Sequence, residues 1–164
     1  MKSIIKLSGV FRVEHWRKGK LLKIYKATNV ICNQGADHLL DVTFKNGTKE
    51  ANWYIGLINN TDFSAVAQAD TLTPDSKSWT EFESYSGSNR SEWTPTAQSR
   101  ILSNTSAAAF TISASGTLRG VFISNLITKG GASTILWNAT QFDDGSFAIS
   151  DGDNLQITYT LTVA

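Results

Sequence analysis

The last stretch of the chain alternates strictly between apolar and polar side chains. Leu155, Ile157, Tyr159, Leu161 and Val163 are apolar, and each residue between them is Gln or Thr. A period of two places the apolar side chains on one face of a strand and the polar ones on the other. This segment is therefore predicted to be a β-strand with one face in a core and the other in water or paired.

Strand and turn signals recur through the last third of the chain. Apolar or β-branched runs occupy residues 110–112, 118–123 and 134–137, before the final alternating run. The turn dipeptides between these runs are Ser115-Gly116, Gly130-Gly131, Asp144-Gly145 and Asp151-Gly152. Strands at this spacing, in a chain of 164 residues with two prolines, predict one all-β domain, an antiparallel β-sandwich or jelly roll.

The first 31 residues are predicted to form a long β-hairpin. Alternating residues lead into Arg17-Lys18-Gly19-Lys20, where Gly19 can take the positive φ of a tight turn. Residues 1–26 hold eight basic side chains against the single acid Glu14, whereas the rest of the chain carries a net charge of −6. This asymmetry predicts a basic surface that binds an acidic one. The candidate partner-binding residues are Lys2, Lys6, Arg12, Trp16, Arg17, Lys18 and Lys20.

Two other interpretations of the basic hairpin stand beside this one. Lysines on exposed edge strands also prevent edge-to-edge association of sheets, which needs no partner at all. Nucleic acid is not the expected partner, because the negatively charged remainder of the chain would repel a phosphate backbone.

A short helix and a long excursion separate the hairpin from the later strands. Ala36, Leu39 and Leu40 stand at i, i+3 and i+4, which predicts a helix over residues 36–42 that plugs against a sheet. Residues 59–106 are rich in Ser, Thr and Asn yet contain scattered aromatic rings, so we predict a long, ordered excursion.

The aromatic rings of the excursion allow three interpretations. Trp79, Tyr85 and Trp93 could line a carbohydrate groove if they are exposed. Alternatively, the two tryptophans cap the open end of the sandwich, or the rings belong to a protein interface.

Catalytic and metal-binding patterns are weak. His15 and His38 lack ligand spacing, and the lone Cys32 is typical of a residue that fills space. Glu81 and Glu83 imitate a glycosidase pair but are typical of a solvated strand face. The four turn carboxylates form either a calcium cluster or ordinary turn residues; they are Asp143, Asp144, Asp151 and Asp153. We therefore predict a non-enzymatic protein without a cofactor.

The location of the protein is also constrained. The sequence has neither a run of about 20 apolar residues nor an N-terminal apolar signal segment, so we expect no membrane span and no secretion. One cysteine excludes an internal disulfide, and folding in a reducing cytoplasm is expected.

Several short motifs follow one another from about residue 29 to the end. They are Asn29-Val30-Ile31 with Asn33 and Gly35, Leu39-Leu40-Asp41, Trp53-Tyr54-Ile55-Gly56-Leu57, Gly120-Val121-Phe122-Ile123, Lys129-Gly130-Gly131, Leu136 and Asp151-Gly152-Asp153-Asn154-Leu155. Their order and spacing resemble a group of small all-β structural proteins of tailed bacteriophages, which attach to the outside of the virion as head decoration (cement) proteins or minor tail components.

The resemblance implies a capsid decoration protein that binds and stabilises the phage head. Its expected partners are the major capsid protein and neighbouring copies of itself, and it is expected to be oligomeric on a virion assembled in the host cytoplasm. It implies no catalytic residues. The alternative is a tail or fibre component that acts as a receptor-binding or glycan-binding module.

Overall fold

The computed structural model describes residues 5–131 and 135–164, and most of them lie in antiparallel strands. Two sheets, here named sheet A and sheet B, pack face to face across a shared apolar core. The predicted all-β, sandwich-like fold class is confirmed.

Sheet A has six strands, and the final alternating segment lies at its centre. The strands are β1 (Leu7–Arg17), β2 (Lys20–Thr28), β9 (Pro95–Gln98), β10 (Ile101–Asn104), β11 (Ala108–Thr111) and β15 (Asn154–Val163). Their order is β2-β1-β15-β10-β9, and β11 also pairs with β15.

Sheet B has seven strands. They are β3 (Val30–Ile31), β4 (Trp53–Asn59), β7 (Glu81–Phe82), β8 (Ser91–Trp93), β12 (Gly116–Ser124), β13 (Leu136–Gln141) and β14 (Phe147–Ile149). Their order is β3-β13-β12-β4-β7, and in addition β14 pairs with β12 and β8 pairs with β4. A separate two-stranded ribbon joins β5 (Thr71–Leu72) to β6 (Asp75–Ser76).

The N-terminal hairpin forms at the predicted turn. Lys18 and Gly19 both have positive φ, 50° and 74°, which is the conformation of a two-residue type I′ turn. Phe11 and Val13 point into the core, as their alternation predicts. The hairpin is not a separate arm, because β1 also pairs with β15 along its whole length, from Leu7 to Trp16.

The excursion over residues 59–106 covers apolar surface of the sandwich. Part of it lies on the outer face of sheet B, where Trp79 and Leu72 join a second apolar cluster with Phe122 and Ile58. Its later part supplies β8 to sheet B and β9 and β10 to sheet A. These residues therefore belong to the same body as the rest of the sandwich.

The predicted helix is present but longer, as α1 (Asn33–Phe44). Gly35 is the one buried residue of α1, and here the helix backbone lies against Trp137. A Cβ at this position would lie 2.5 Å from the carbonyl oxygen of Trp137, so the close approach requires glycine. The expected plug is wrong in one respect: Leu39 and Leu40, which predicted the inner face, are exposed. Because α1 approaches the sheet at Gly35, the side chains of Leu39 and Leu40 point away from the sheet.

The sandwich has two distinct ends. The tip end carries the Lys18-Gly19 turn, and the helix end carries α1 and the last residues of β15. The 11 residues of β1 run from one end to the other, which at about 3.3 Å per residue is roughly 36 Å. A side chain at one end therefore cannot share a contact with one at the other.

Candidate functional site

The predicted basic surface is not a single patch. Lys6 lies beside Ala164 at the helix end, whereas Lys18 and Lys20 are exposed at the tip end. Lys2 lies outside the described residues. The positive charges that the sequence places in one segment are therefore distributed along the full length of sheet A.

Three residues of the predicted surface are already engaged within the chain. The guanidinium of Arg12 pairs with Glu14, and the indole Nε1 of Trp16 donates to the other oxygen of Glu14 at 2.9 Å. Arg17 donates from Nε to Oδ1 of Asp153 at 2.7 Å and from Nη2 to Oδ2 at 2.9 Å. Arg12 and Arg17 are therefore paired with carboxylates of the same chain, and their role in partner binding stays a prediction.

The Asp153 carboxylate organises the tip end. Its side chain is 1 % exposed and also accepts hydrogen bonds from the backbone N–H of Ser150 at 2.8 Å and from Nε2 of His15 at 2.7 Å. The two bonds from Arg17 hold the pKa of Asp153 well below its usual range, against the opposing effect of burial. This carboxylate is thus a structural anion that fixes the turn after β14 to the end of β1.

The calcium interpretation of the turn carboxylates finds no support in this arrangement. The Asp153 carboxylate is bonded to Arg17 and His15. Asp144 forms an ion pair with Lys23 at 3.2 Å, and Asp143 accepts a hydrogen bond from the backbone N–H of Thr28. Within residues 5–131 and 135–164, no three His, Cys, Asp or Glu side chains are grouped to hold a metal ion.

Of the two carboxylates Glu81 and Glu83, Glu81 has a structural role, whereas Glu83 is exposed. Glu81 receives two hydrogen bonds from Arg90, at 2.9 Å and 2.7 Å, and both side chains are almost fully buried. The Arg90 guanidinium also donates to Ser124 and to the carbonyl oxygen of Leu126. A carboxylate held in this way is not free to act as a glycosidase acid or nucleophile.

The thiol of Cys32 is inert for a physical reason. Burial raises its pKa to about 12, and the nearby Asp70 adds to the shift. At neutral pH the residue is therefore a neutral thiol, whereas nucleophilic cysteines react as thiolates.

The aromatic rings proposed as an alternative ligand surface are buried. Trp79, Tyr85 and Trp93 are at most 6 % exposed. Trp79 donates from Nε1 to Asp70 at 2.7 Å, and Trp93 packs edge-on against Tyr159 with ring centroids 5.1 Å apart. The prediction that these three rings form an exposed stacking surface is therefore wrong. Their burial agrees with a structural role, but the residues lie apart: Trp79 packs in the outer cluster of sheet B and Trp93 in the core between the sheets, so capping of the open end stays a prediction.

The feature that sequence reasoning missed is the outward face of α1. Leu40 and Phe44 stand one helical turn apart and are 55 % and 78 % exposed. Residues at i and i+4 share one face of a helix, so these two side chains form a continuous apolar surface. The signal in the sequence was the i, i+3, i+4 pattern itself, which gives the apolar face but not its direction.

An apolar groove lies between α1 and the sandwich. It has a volume of about 260 Å³ and is lined by His38, Leu39 and Val42 on one side and by tryptophans on the other. The half-buried Trp53 lies on its floor, with the His38 ring edge-on at 5.7 Å. A second groove of about 620 Å³ shares Trp53 and runs along β9. The helix end thus joins the exposed α1 face to a groove with a tryptophan floor.

Comparison with protein-family models and with curated proteins finds no match for this chain. None of the helical segments within the described ranges is long and apolar enough to cross a membrane.

Proposed function

We propose that this chain is a non-enzymatic structural protein of a tailed-phage virion that binds the outside of the head as a decoration protein and stabilises it. The proposal rests on the resemblance of residues 29–164 to such proteins and on the chemistry of the helix end. The partners are the major capsid protein and neighbouring copies of the chain.

The unpartnered apolar surface of α1 carries the proposal. Full burial of a Leu or Phe side chain contributes about 1.5–3 kcal/mol, so covering the exposed parts of Leu40 and Phe44 would contribute roughly 3 kcal/mol per copy. That corresponds to roughly a hundredfold in affinity, before any contact with the groove. When many copies bind one shell, the total stabilisation of the shell increases. Copies that also touch one another hold each other's binding surfaces close to the shell, which raises their effective concentration there.

The basic tip makes a separate and weaker contribution. Lys18 and Lys20 are exposed and form no ion pair with any described residue. Exposed charges of this kind are screened by salt and contribute little to affinity, although they accelerate association with an acidic surface. The docking face is therefore assigned to the helix end, with the tip as an auxiliary electrostatic contact.

Co-sedimentation with capsid shells that lack the protein tests this function. Saturable binding to expanded shells, and weaker or no binding to procapsids, is the expected result for a decoration protein. Absence of binding to both forms at low and high salt would refute the head location.

Matched variants separate the two surfaces. The double variant Leu40→Asp/Phe44→Asp should weaken binding at least about tenfold while leaving the free energy of unfolding nearly unchanged, because both side chains are exposed. Thr43→Asp adds a charge at an exposed position of the same helix and serves as the control. Lys18→Ala/Lys20→Ala should reduce mainly the salt dependence. Equal binding by the double variant and wild type would refute the assigned face.

A glycan-binding role on a tail or fibre is the second candidate, and the Trp53 groove favours it. A half-buried indole with a polar rim suits a sugar ring, which stacks on the aromatic face and hydrogen-bonds at its edges. The polar rim residues are Lys49, Glu50, Asn52, Glu92, Thr94 and Thr96. Host polysaccharides should then change tryptophan fluorescence in the wild type but not in Trp53→Ala. No response across a broad glycan panel would refute this role.

A further inference from the structure

The two edges of sheet A differ in charge. The edge strand β2 carries Lys20, Lys23 and Lys26, and its second half is covered where the backbone N–H of Asp143 donates to the carbonyl oxygen of Lys26. The opposite edge strand, β9, has no charged residue, and all four of its residues are exposed. Natural sheets protect open edges with charged side chains, with proline or by keeping the edge strand short. Lysines protect β2, whereas β9 carries no charge and has Pro95 as its one residue of this kind.

The hairpin register identifies the backbone groups of β9 that face outward. Ser99 has a φ of 57° and forms with Arg100 a two-residue turn that is closed by the pair Gln98 and Ile101. Because hydrogen-bonded and non-hydrogen-bonded pairs alternate in an antiparallel ladder, the pair Ala97 and Leu102 is not hydrogen-bonded. The N–H and C=O of Ala97 therefore point away from β10, towards the open edge.

The same alternation places two further groups on that edge. The peptide between Gln98 and Ser99 directs its oxygen to Ile101, so the N–H of Ser99 points outward. Likewise, the carbonyl oxygen of Pro95 points outward, since the N–H of Thr96 faces Ser103. Pro95 has no N–H to offer. The edge thus presents one oxygen from Pro95, both groups of Ala97 and one N–H from Ser99.

We infer that two copies of this chain join sheet A to sheet A through their β9 strands, antiparallel about a twofold axis at Ala97. In this register each Ala97 N–H donates to the Ala97 oxygen of the second copy. Each Ser99 N–H donates to the Pro95 oxygen of the second copy. Every outward group of Pro95 and Ala97 is then paired, in four hydrogen bonds, and the missing N–H of Pro95 removes no bond from the set.

The side chains agree with this register and oppose the corresponding pairing of β2. Thr96 faces Gln98 of the second copy, and the nearest charge, Arg100, faces Thr94. In a twofold pair of β2 edges, three lysines from each strand would meet three from the other, and like charges placed opposite one another are destabilising. The charge-free edge is therefore the one that can accept its own copy.

Sedimentation velocity on the isolated chain tests the inference without any virus particle, so its outcome is independent of the decoration role. A monomer–dimer equilibrium should appear between about 1 µM and about 1 mM. Amide hydrogen exchange at Ala97 and Ser99 should slow as concentration rises, because only the dimer protects these two N–H groups. A monomer throughout this range, or a dimer without protection at these amides, would overturn the pairing.

Substitutions at Ala97 provide matched controls. Ala97→Pro removes an N–H that the β9–β10 hairpin does not use, and it should abolish the dimer. Ala97→Lys places like charges opposite one another and should weaken the dimer at least about tenfold. Ala97→Thr keeps the edge neutral and should dimerise like wild type. Circular dichroism verifies that each variant folds, and a dimer unaffected by the Pro and Lys changes contradicts the proposed interface.

Discussion

Replacing Asp153 with Asn should destabilise the tip end strongly, although the two side chains have the same shape. The carboxylate accepts four hydrogen bonds: two from Arg17, one from His15 and one from the backbone of Ser150. An amide keeps one oxygen and turns an NH2 group towards donors on the other side. At least one N–H of the cluster then faces another N–H instead of an acceptor.

The size of the effect follows from these contacts. A hydrogen bond to a charged group contributes about 1.5–3 kcal/mol, and the Arg17 side chain is 42 % exposed, which reduces its share through solvent screening. We expect a loss of about 3 kcal/mol in the free energy of unfolding. For a protein of this size, that lowers the Tm by roughly 6–12 °C.

The effect should also depend on pH in a defined direction. Arg17 holds the pKa of Asp153 below its usual range, so the stabilisation is complete above the unfolded pKa of about 3.9 and is lost as pH falls through the folded value. The stability difference between wild type and Asp153→Asn should therefore narrow as the pH falls below about pH 4.

Urea unfolding of wild type, Asp153→Asn and Asp151→Asn across this pH range is the assay. Asp151 is an exposed carboxylate in the same turn, and its replacement should change stability by less than about 0.5 kcal/mol. The reasoning fails if Asp153→Asn is as stable as Asp151→Asn at neutral pH, or if its deficit stays constant down to about pH 2.

Three further outcomes follow from the core. Gly120→Ala places a Cβ against the carbonyl oxygen of Thr140 and should cost about 2–3 kcal/mol in urea unfolding; wild-type stability would show that the strand can shift. Arg90→Met removes the cation from the buried Glu81 and leaves it one hydrogen bond, from the backbone N–H of Gly130; it should cost about 3–5 kcal/mol, a value that an unchanged Tm would contradict. Because Cys32 is buried with a raised pKa, its alkylation should be at least about a hundredfold slower in the native protein than in urea; equal rates would place the thiol at the surface.

The elements that sequence predicted well are those set by neighbouring residues. The Lys18-Gly19 turn and the alternation of β1 and β15 follow from local backbone geometry, so the hairpin and the final strand are where the pattern places them. Helix α1 was also predicted, because the i, i+3, i+4 pattern is local. Its orientation was not, since that depends on the close approach of Gly35 to Trp137.

The candidate site was predicted less well, because it depends on contacts between distant residues. Charge counting treats Arg17 as a free cation, but Asp153 neutralises it from 136 positions further along the chain. Composition likewise marks Trp79 as a candidate ligand residue, but folding of the excursion over sheet B buries it beside Phe122.

The sequence alone determined the all-β class, the hairpin turn, the existence of the helix and the concentration of basic residues in the N-terminal segment. Each of these follows from residues that are near one another in the chain. Only the tertiary structure decided which of these features reach the surface. It neutralised Arg17, buried Trp93, turned Leu40 and Phe44 outward and left β9 as an open, uncharged edge. The physical reason is that exposure is set by long-range strand pairing and packing, and no local pattern contains the partner residue.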